Sequence, residues 1–225
     1  MEQQKDKIKN MEAYSILSDA EICSLVLSGQ KEWFEVIVRR YNPVLYKIGR
    51  SYNFNHPDTQ DLMQDCFIDA YKALAQFEGR SSFKTWLLRI MLNNCFKKKA
   101  KSTFKNEQMQ PISNEAQPLF VLPEKATEER LHQKELGKII EQALATIPED
   151  YRLVFALREM NELNVADTAH LLHISEANVK TRLSRAKAML RRRLEQSYRA
   201  SELFAFNLVY CDAVVAHVMN RIHKL

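Results

Sequence analysis

The segment Asp61–Lys101, DLMQDCFIDAYKALAQFEGRSSFKTWLLRIMLNNCFKKKAK, decides how the rest of the chain is read, because it holds two helical patterns joined by a glycine-containing corner. Leu62, Cys66, Ala70, Leu74 and Phe77 recur at spacings of three and four, which predicts one apolar stripe and sets Asp61, Asp65 and Lys72 on another face. That polar face is left for a partner. The pattern breaks at Glu78-Gly79-Arg80, and Ser81 or Ser82 suits the N-cap of a second helix carrying Phe83, Trp86, Leu87, Ile90 and Met91 inward. Arg89, Asn93 and Lys97 follow at i, i+4 and i+8 and so share a face, which Lys98, Lys99, Lys101 and Lys105 extend. No acidic residue lies between Arg80 and Lys105. A basic face bearing asparagine, beside a serine-rich corner and two aromatic residues, suits a nucleic-acid backbone and unstacked bases better than a small metabolite.

With 225 residues and 46% hydrophobic content the chain is expected to fold, as two small cores. The net charge of +5 is modest, but the positive residues fall in two blocks separated by a more acidic linker. MEQQKDKIKN at the start lacks a signal-type apolar core, and no run approaches 18 uncharged apolar residues, so no membrane insertion and a cytoplasmic location are expected. Cys23, Cys66, Cys95 and Cys211 are widely spaced, which predicts free buried thiols rather than disulfides or a metal site. With four glycines there is no phosphate-cradling loop, and no cofactor is expected.

Outward from the central segment, every sustained pattern is helical, and the fold class expected is all-α. Ser18-Asp19-Ala20-Glu21 is a capping-box signal. Phe34, Ile37, Tyr41, Leu45, Ile48 and Tyr52 keep helical period from Lys31 to Tyr52, with Pro43 as an expected kink. Residues 102–127 hold three prolines and no sustained period, and read as a linker that contains an apolar patch at Leu119-Phe120-Val121-Leu122. Helical period returns through Leu131, Leu136, Ile139, Ile140 and Leu144, and Ile147-Pro148-Glu149-Asp150 stops one helix and starts the next.

A helix-turn-helix pattern follows: Val165, Thr168-Ala169 and Leu171-Leu172, the turn His173-Ile174-Ser175, then a long basic helix, EANVKTRLSRAKAMLRRRL. Its inward face is Val179, Leu183, Ala186 and Leu190. Between Glu176 and Arg193 the cations Lys180, Arg182, Arg185, Lys187, Arg191, Arg192 and Arg193 stand against the single acid Glu176. Recognition helices place their N-terminal turns in the major groove, so Ser175 as N-cap with Glu176, Ala177, Asn178, Lys180 and Thr181 are the candidates near base edges. Lys180, Arg182, Arg185 and Lys187 are left outside to meet DNA, and Arg185, Lys187 and the run Arg191 to Arg193 are better placed for phosphates.

DLMQDCFIDAYKAL followed by FEGRSSFKTWLLRI resembles region two of the extracytoplasmic-function (ECF) sigma factors of bacterial RNA polymerase, in the sigma-70 family. ISEANVKTRLSRAKAML resembles the end of region four in the same family. The resemblance spans roughly residues 18–195. It implies region two over 18–101, a linker over 102–127, region four over 128–195, and a C-terminal extension over 196–225. It also implies that Asp61, Leu62, Gln64, Asp65, Ile68 and Lys72 bind core RNA polymerase. By the same resemblance, Arg80, Ser81, Ser82, Phe83, Lys84, Trp86, Arg89, Asn93, Asn94 and Lys97 recognise and melt the minus-ten promoter element. Ser175, Glu176, Ala177, Asn178, Lys180, Thr181, Arg182, Arg185 and Lys187 would read the minus-thirty-five element. The partners so implied are core RNA polymerase, promoter DNA and an antagonist anti-sigma factor, with no catalytic residue in the chain. His173 departs from the glycine common in the family's turn, so strain is expected there.

Other readings weigh against this one. Asp61, Asp65 and Asp69 form a carboxylate row that a metal-dependent nuclease would use, but no His or Glu completes a ligand set on that helix, so no metal is expected. A helix-turn-helix regulator acting without polymerase would leave the basic-aromatic corner unexplained. In the tail, Phe204, Leu208, Cys211, Val215, Val218 and Ile222 predict an amphipathic helix, and Cys211, His217 and His223 read as packing rather than ligands.

Overall fold

A computed structural model describes residues 17–104, 137–197 and 219, and all regular structure among them is helical. The expectations for the linker's apolar patch, for the helix start before residue 137 and for the C-terminal tail lie outside the described residues, apart from position 219.

Helix α1 (Asp19–Leu27) starts at the expected capping box: Glu21 donates its backbone N–H to Ser18 Oγ at 3.3 Å, and Ser18 returns its own N–H to the Glu21 carboxylate at 2.7 Å. Those bonds from Ser18 hold the Glu21 carboxyl below its usual range. Helix α2 (Phe34–Ser51) follows a 3-10 turn at Lys31–Trp33 and carries Pro43 inside it. Val36, Ile37, Tyr41, Leu45 and Ile48 are its buried stripe.

Helix α3 (His56–Lys72) is capped by Asn55, whose side chain accepts from the Asp58 N–H at 2.8 Å. It crosses α2 closely at Gly49, where a Cβ would lie 2.5 Å from Thr59 Cγ2. Leu62, Cys66 and Ala70 are buried as the spacing predicts, but the helix ends at Lys72 and Leu74 continues the stripe from a 3-10 turn, Leu74–Gln76. Helix α4 (Phe83–Phe104) starts at Ser82 and not Ser81, since Ser82 Oγ accepts the Thr85 N–H at 3.1 Å.

The second half begins with helical residues 137–145. Pro148 caps α5 (Glu149–Phe155), which runs on into a π turn, Ala156–Met160, that periodicity did not predict. Asn164 caps α6 (Val165–Leu172), accepting from the Asp167 N–H at 2.7 Å. His173 ends it in the left-handed region, at φ 53 and ψ 43, the conformation its place in the turn demanded. Helix α7 (Glu176–Ser197) then starts at Ser175, whose hydroxyl accepts from Asn178 N–H at 3.2 Å.

Val154, Ala169 and Val179 make a small core of the helix-turn-helix unit, flanked by Ile174 and Leu183. The larger core is shared between the halves: Leu45, Ile48, Leu87 and Met91 belong to the same buried cluster as Leu144, Ile147, Leu157 and Met160. Two small cores were expected; instead one continuous cluster spans both halves, and only the small helix-turn-helix core stands apart. Cys23, Cys66 and Cys95 are buried and free. Burial raises the Cys23 thiol to about 11 and Cys95 to about 12, and pushes Cys66 up as well.

Candidate nucleic-acid and partner interfaces

On α3 the side chains of Asp61, Gln64, Asp65, Ile68 and Lys72 are exposed along one face, with Ile68 at 51% despite its apolar chemistry. Leu62 does not share that face, a correction to its place in the partner-binding set. It is 4% exposed, because one residue along a helix turns a side chain by about 100°, and here into the core. A groove of about 880 Å³ runs between α3 and α4, with Asp61, Asp65 and Asp69 on one wall and Phe96, Lys97 and Lys101 on the other. Phe96 is 68% exposed, an apolar ring at a position the inward stripe skips. Sequence reading passed over it, although a phenylalanine off the stripe and next to three lysines was the available signal. Asp69 accepts a hydrogen bond from Asn94 at 3.0 Å, and among the described residues no group of three His, Cys, Asp or Glu side chains is placed to hold a metal ion.

At the corner, Gly79 takes φ 69 and Arg80 reaches Glu78 at 2.7 Å in an exposed ion pair. Phe77, Phe83 and Trp86 form an aromatic cluster with ring centroids 5.2 to 5.4 Å apart, and Tyr41 adds a fourth ring 5.7 Å from Phe83. Phe83 is 3% exposed: it faces inward as its spacing predicts and its ring fills the core under the corner, so the resemblance's base-contacting place for it is not met on the surface. Trp86 is half-buried against it. The cluster stiffens the turn that carries Ser81 and Ser82. Ser81 donates to the Ser82 carbonyl at 3.3 Å, and Ser82 shares a hydroxyl contact with Thr85 at 2.8 Å.

Beyond the corner, Arg89, Asn93 and Lys97 are exposed on one side of α4, as i, i+4 spacing dictates. Other members of the predicted surface are engaged inside the protein. Asn94 is bound to Asp69, and the Lys84 ammonium donates to the backbone carbonyl of Asn161 in the other half. Two lysines of the basic run are also paired, Lys98 with Asp58 at 2.6 Å and Lys99 with Glu149.

Helix α7 presents Glu176, Ala177, Asn178, Lys180 and Thr181 to solvent in its first turns, with the capping Ser175 exposed before them. Arg182 lies 3.3 Å from Asp150 and Lys187 2.9 Å from Glu159, both of them α5-side acids, while Arg185 donates to the Tyr151 hydroxyl at 3.4 Å. Such exposed pairs are weak and exchange readily for phosphates. The helix is thus positioned by Val179 and Ala186 beneath and leaves its basic side outward.

Two family models match the chain, Sigma-70 region 2 over residues 37–103 and Sigma-70, region 4 over residues 137–190. The fold of helical units ending in a helix-turn-helix, with a basic helix in each half, is that of transcription initiation factors, and the chain belongs to the sigma-70 family. Within it the chain falls among the ECF members. It is 28% identical to ECF RNA polymerase sigma factor SigM of Mycobacterium tuberculosis over 181 residues, 79% of this chain and 85% of the relative. The ECF RNA polymerase sigma-E factor of Escherichia coli K12 is 29% identical over 180 residues, covering 76% of this chain and 91% of that protein. Among solved structures, CnrH in complex with the cytosolic domain of CnrY aligns with a TM-score of 0.56 at 23% identity, over 80% of this chain and 99% of that one. The sigma factor RpoE in complex with the anti-sigma factor NepR from Bartonella quintana aligns at 0.57 and 21% identity, over 72% and 96%. These two likenesses establish the fold. No helix among the described residues is long and apolar enough to cross a membrane.

Proposed function

We propose that this sigma factor binds core RNA polymerase through the exposed α3 face, reads a minus-thirty-five element with α7, and captures the melted minus-ten element with the corner and α4. The observation that carries the reading is the order of two outward basic faces: Arg89, Asn93 and Lys97 in the first half, and Lys180, Arg185 and Lys187 in the second. Region two would occupy 18–101, the linker 102–127, region four 128–195 and the extension 196–225. Holding unstacked bases at the corner lowers the free energy of the open state, so binding drives melting without catalytic residues. Phosphodiester chemistry stays with the polymerase. CnrH and RpoE are described in complex with CnrY and with an anti-sigma factor, which supports an antagonist of that kind for this chain.

Transcription by purified core polymerase on fragmented genomic DNA of the source organism, with and without the protein, tests this. New 5′ ends sharing two upstream motifs at fixed spacing are the expected result. Absence of core binding, with duplex binding retained, would point to a helix-turn-helix regulator that works without polymerase.

A further inference from the structure

We propose that the C-terminal segment 198–225 docks as a helix in the groove between α3 and α4 and so competes with core polymerase for the α3 face. The competition rests on the polymerase-docking role proposed above for that face, while the docking itself does not. The groove, about 880 Å³, has walls of opposite sign: Asp61, Asp65 and Asp69 on one side, Lys97 and Lys101 on the other. Phe96, on the lysine side, is 68% exposed. A fitting occupant brings an apolar stripe with a cation along one edge and an anion along the other. A nucleic-acid strand does not fit, since its phosphates would face three carboxylates.

The sequence of the tail meets that description. Phe204, Leu208, Cys211, Val215, Val218 and Ile222 recur at spacings of four and three, the pattern of one apolar stripe. Asp212 and Arg221 are nine residues apart, which at about 100° per residue sets them on opposite sides of a helix, each about a quarter-turn from the stripe. Nine residues rise about 13 Å, against about 12 Å for the eight residues from Asp61 to Asp69. Arg221 then faces the carboxylates and Asp212 the lysines. Position 219, within the segment, is helical, and Met219 is 43% exposed, an apolar side chain open to solvent. The chain is also long enough to return. Lys99, between the groove residues Lys98 and Ala100, pairs with Glu149, and the adjacent Asp150 pairs with Arg182 at 3.3 Å, which brings α7 beside the groove. From Arg182 to Ser197 the helix rises about 22 Å, and residues 198–203 span about 20 Å when extended, so Phe204 can come back level with the groove. Asp61 and Asp65 belong both to the groove wall and to the face proposed to meet polymerase, so tail and polymerase exclude each other.

The test uses the full chain with the photo-crosslinking residue benzoylphenylalanine in place of Phe96, an exposed position where the change leaves the core untouched. Illumination should join position 96 to residues between 204 and 222 of the same chain, mapped by mass spectrometry, and added core polymerase should suppress the product. Asp212→Lys should lower the yield several-fold, and Asp212→Lys with Lys101→Glu should restore it. In the chain that keeps Phe96, Asp212→Lys should tighten core binding by about ten-fold or more, since apparent affinity scales with the free fraction of the surface. The charge swap should return that affinity to its starting value. Val215→Asp with Val218→Asp should release the tail through its stripe, with the same two readouts. No crosslink to the tail, or a crosslink to a second copy as told by the mass of the product, overturns the docking whatever core binding does. A crosslink to the tail with unchanged core affinity in the variants overturns the competition. If the crosslink persists while core polymerase binds no form of the protein, the α3 docking role is what fails, and the competition falls with it.

Discussion

Asn94 on α4 donates its side-chain amide to Asp69 on α3 at 3.0 Å, so the helix proposed to meet DNA is tied to the carboxylate row proposed to meet the polymerase. Asp69, though exposed, is thereby engaged by α4, and Asp61 and Asp65 are the members of the row whose change leaves that tie intact. The double change Asp61→Ala with Asp65→Ala should weaken association with core polymerase. It should shift folding stability by no more than about 0.5 kcal/mol, as exposed sites usually do. Titration of labelled core measures the first effect and urea unfolding the second; undiminished core affinity would move the docking face elsewhere.

Reversing charge at Arg182 or Arg185 should weaken binding to upstream-element duplex. Lys187→Ala removes a phosphate contact and should lower the slope of log affinity against log salt by about one. Binding measured across a salt series separates this from a base contact, which would leave the slope unchanged and relax sequence preference instead.

Gly49→Ala should cost about 1–3 kcal/mol, because the added methyl would sit 2.5 Å from Thr59 Cγ2 where α2 and α3 cross. A lower urea midpoint with an unchanged m-value is the expected signature.

Cys23, Cys66 and Cys95 should resist a disulfide reagent until denaturant is added, since each is buried and its thiol raised by desolvation. The fold holds these protons more tightly than the unfolded chain does. Their contribution is therefore complete below the ordinary thiol value of 9.0 and is lost as pH climbs toward the folded values, about 11 for Cys23 and about 12 for Cys95. Urea midpoints that fall between pH 9 and 11 would agree; midpoints that rise there would contradict the assignment.

How much of this was legible in the sequence depended on the range of the interaction. The α3 stripe of Leu62, Cys66 and Ala70, the capping box at Ser18 and Glu21, and the turn at His173 are encoded within a few residues, and periodicity or cap chemistry finds them. Lys84 looked like a DNA contact because its neighbours are basic, while its partner Asn161 lies 77 residues further along. Arg152 and Ser51, 101 residues apart, carry no local signature either. Phe83 was legible as inward from its spacing, while its place in the minus-ten set came only from the family resemblance; Tyr41 and Phe77 packed around it agree with the spacing.

The buried cluster that runs from Leu45 and Met91 to Leu144 and Leu157 joins the two halves through one core and should make them a single melting unit. Heat that loosens one half strips apolar cover from the other, so the protein should give one calorimetric peak. An antagonist or polymerase that pries the halves apart would therefore be bargaining with the cooperativity of the whole molecule, and its grip would register as a change in the number of transitions as well as in their temperature.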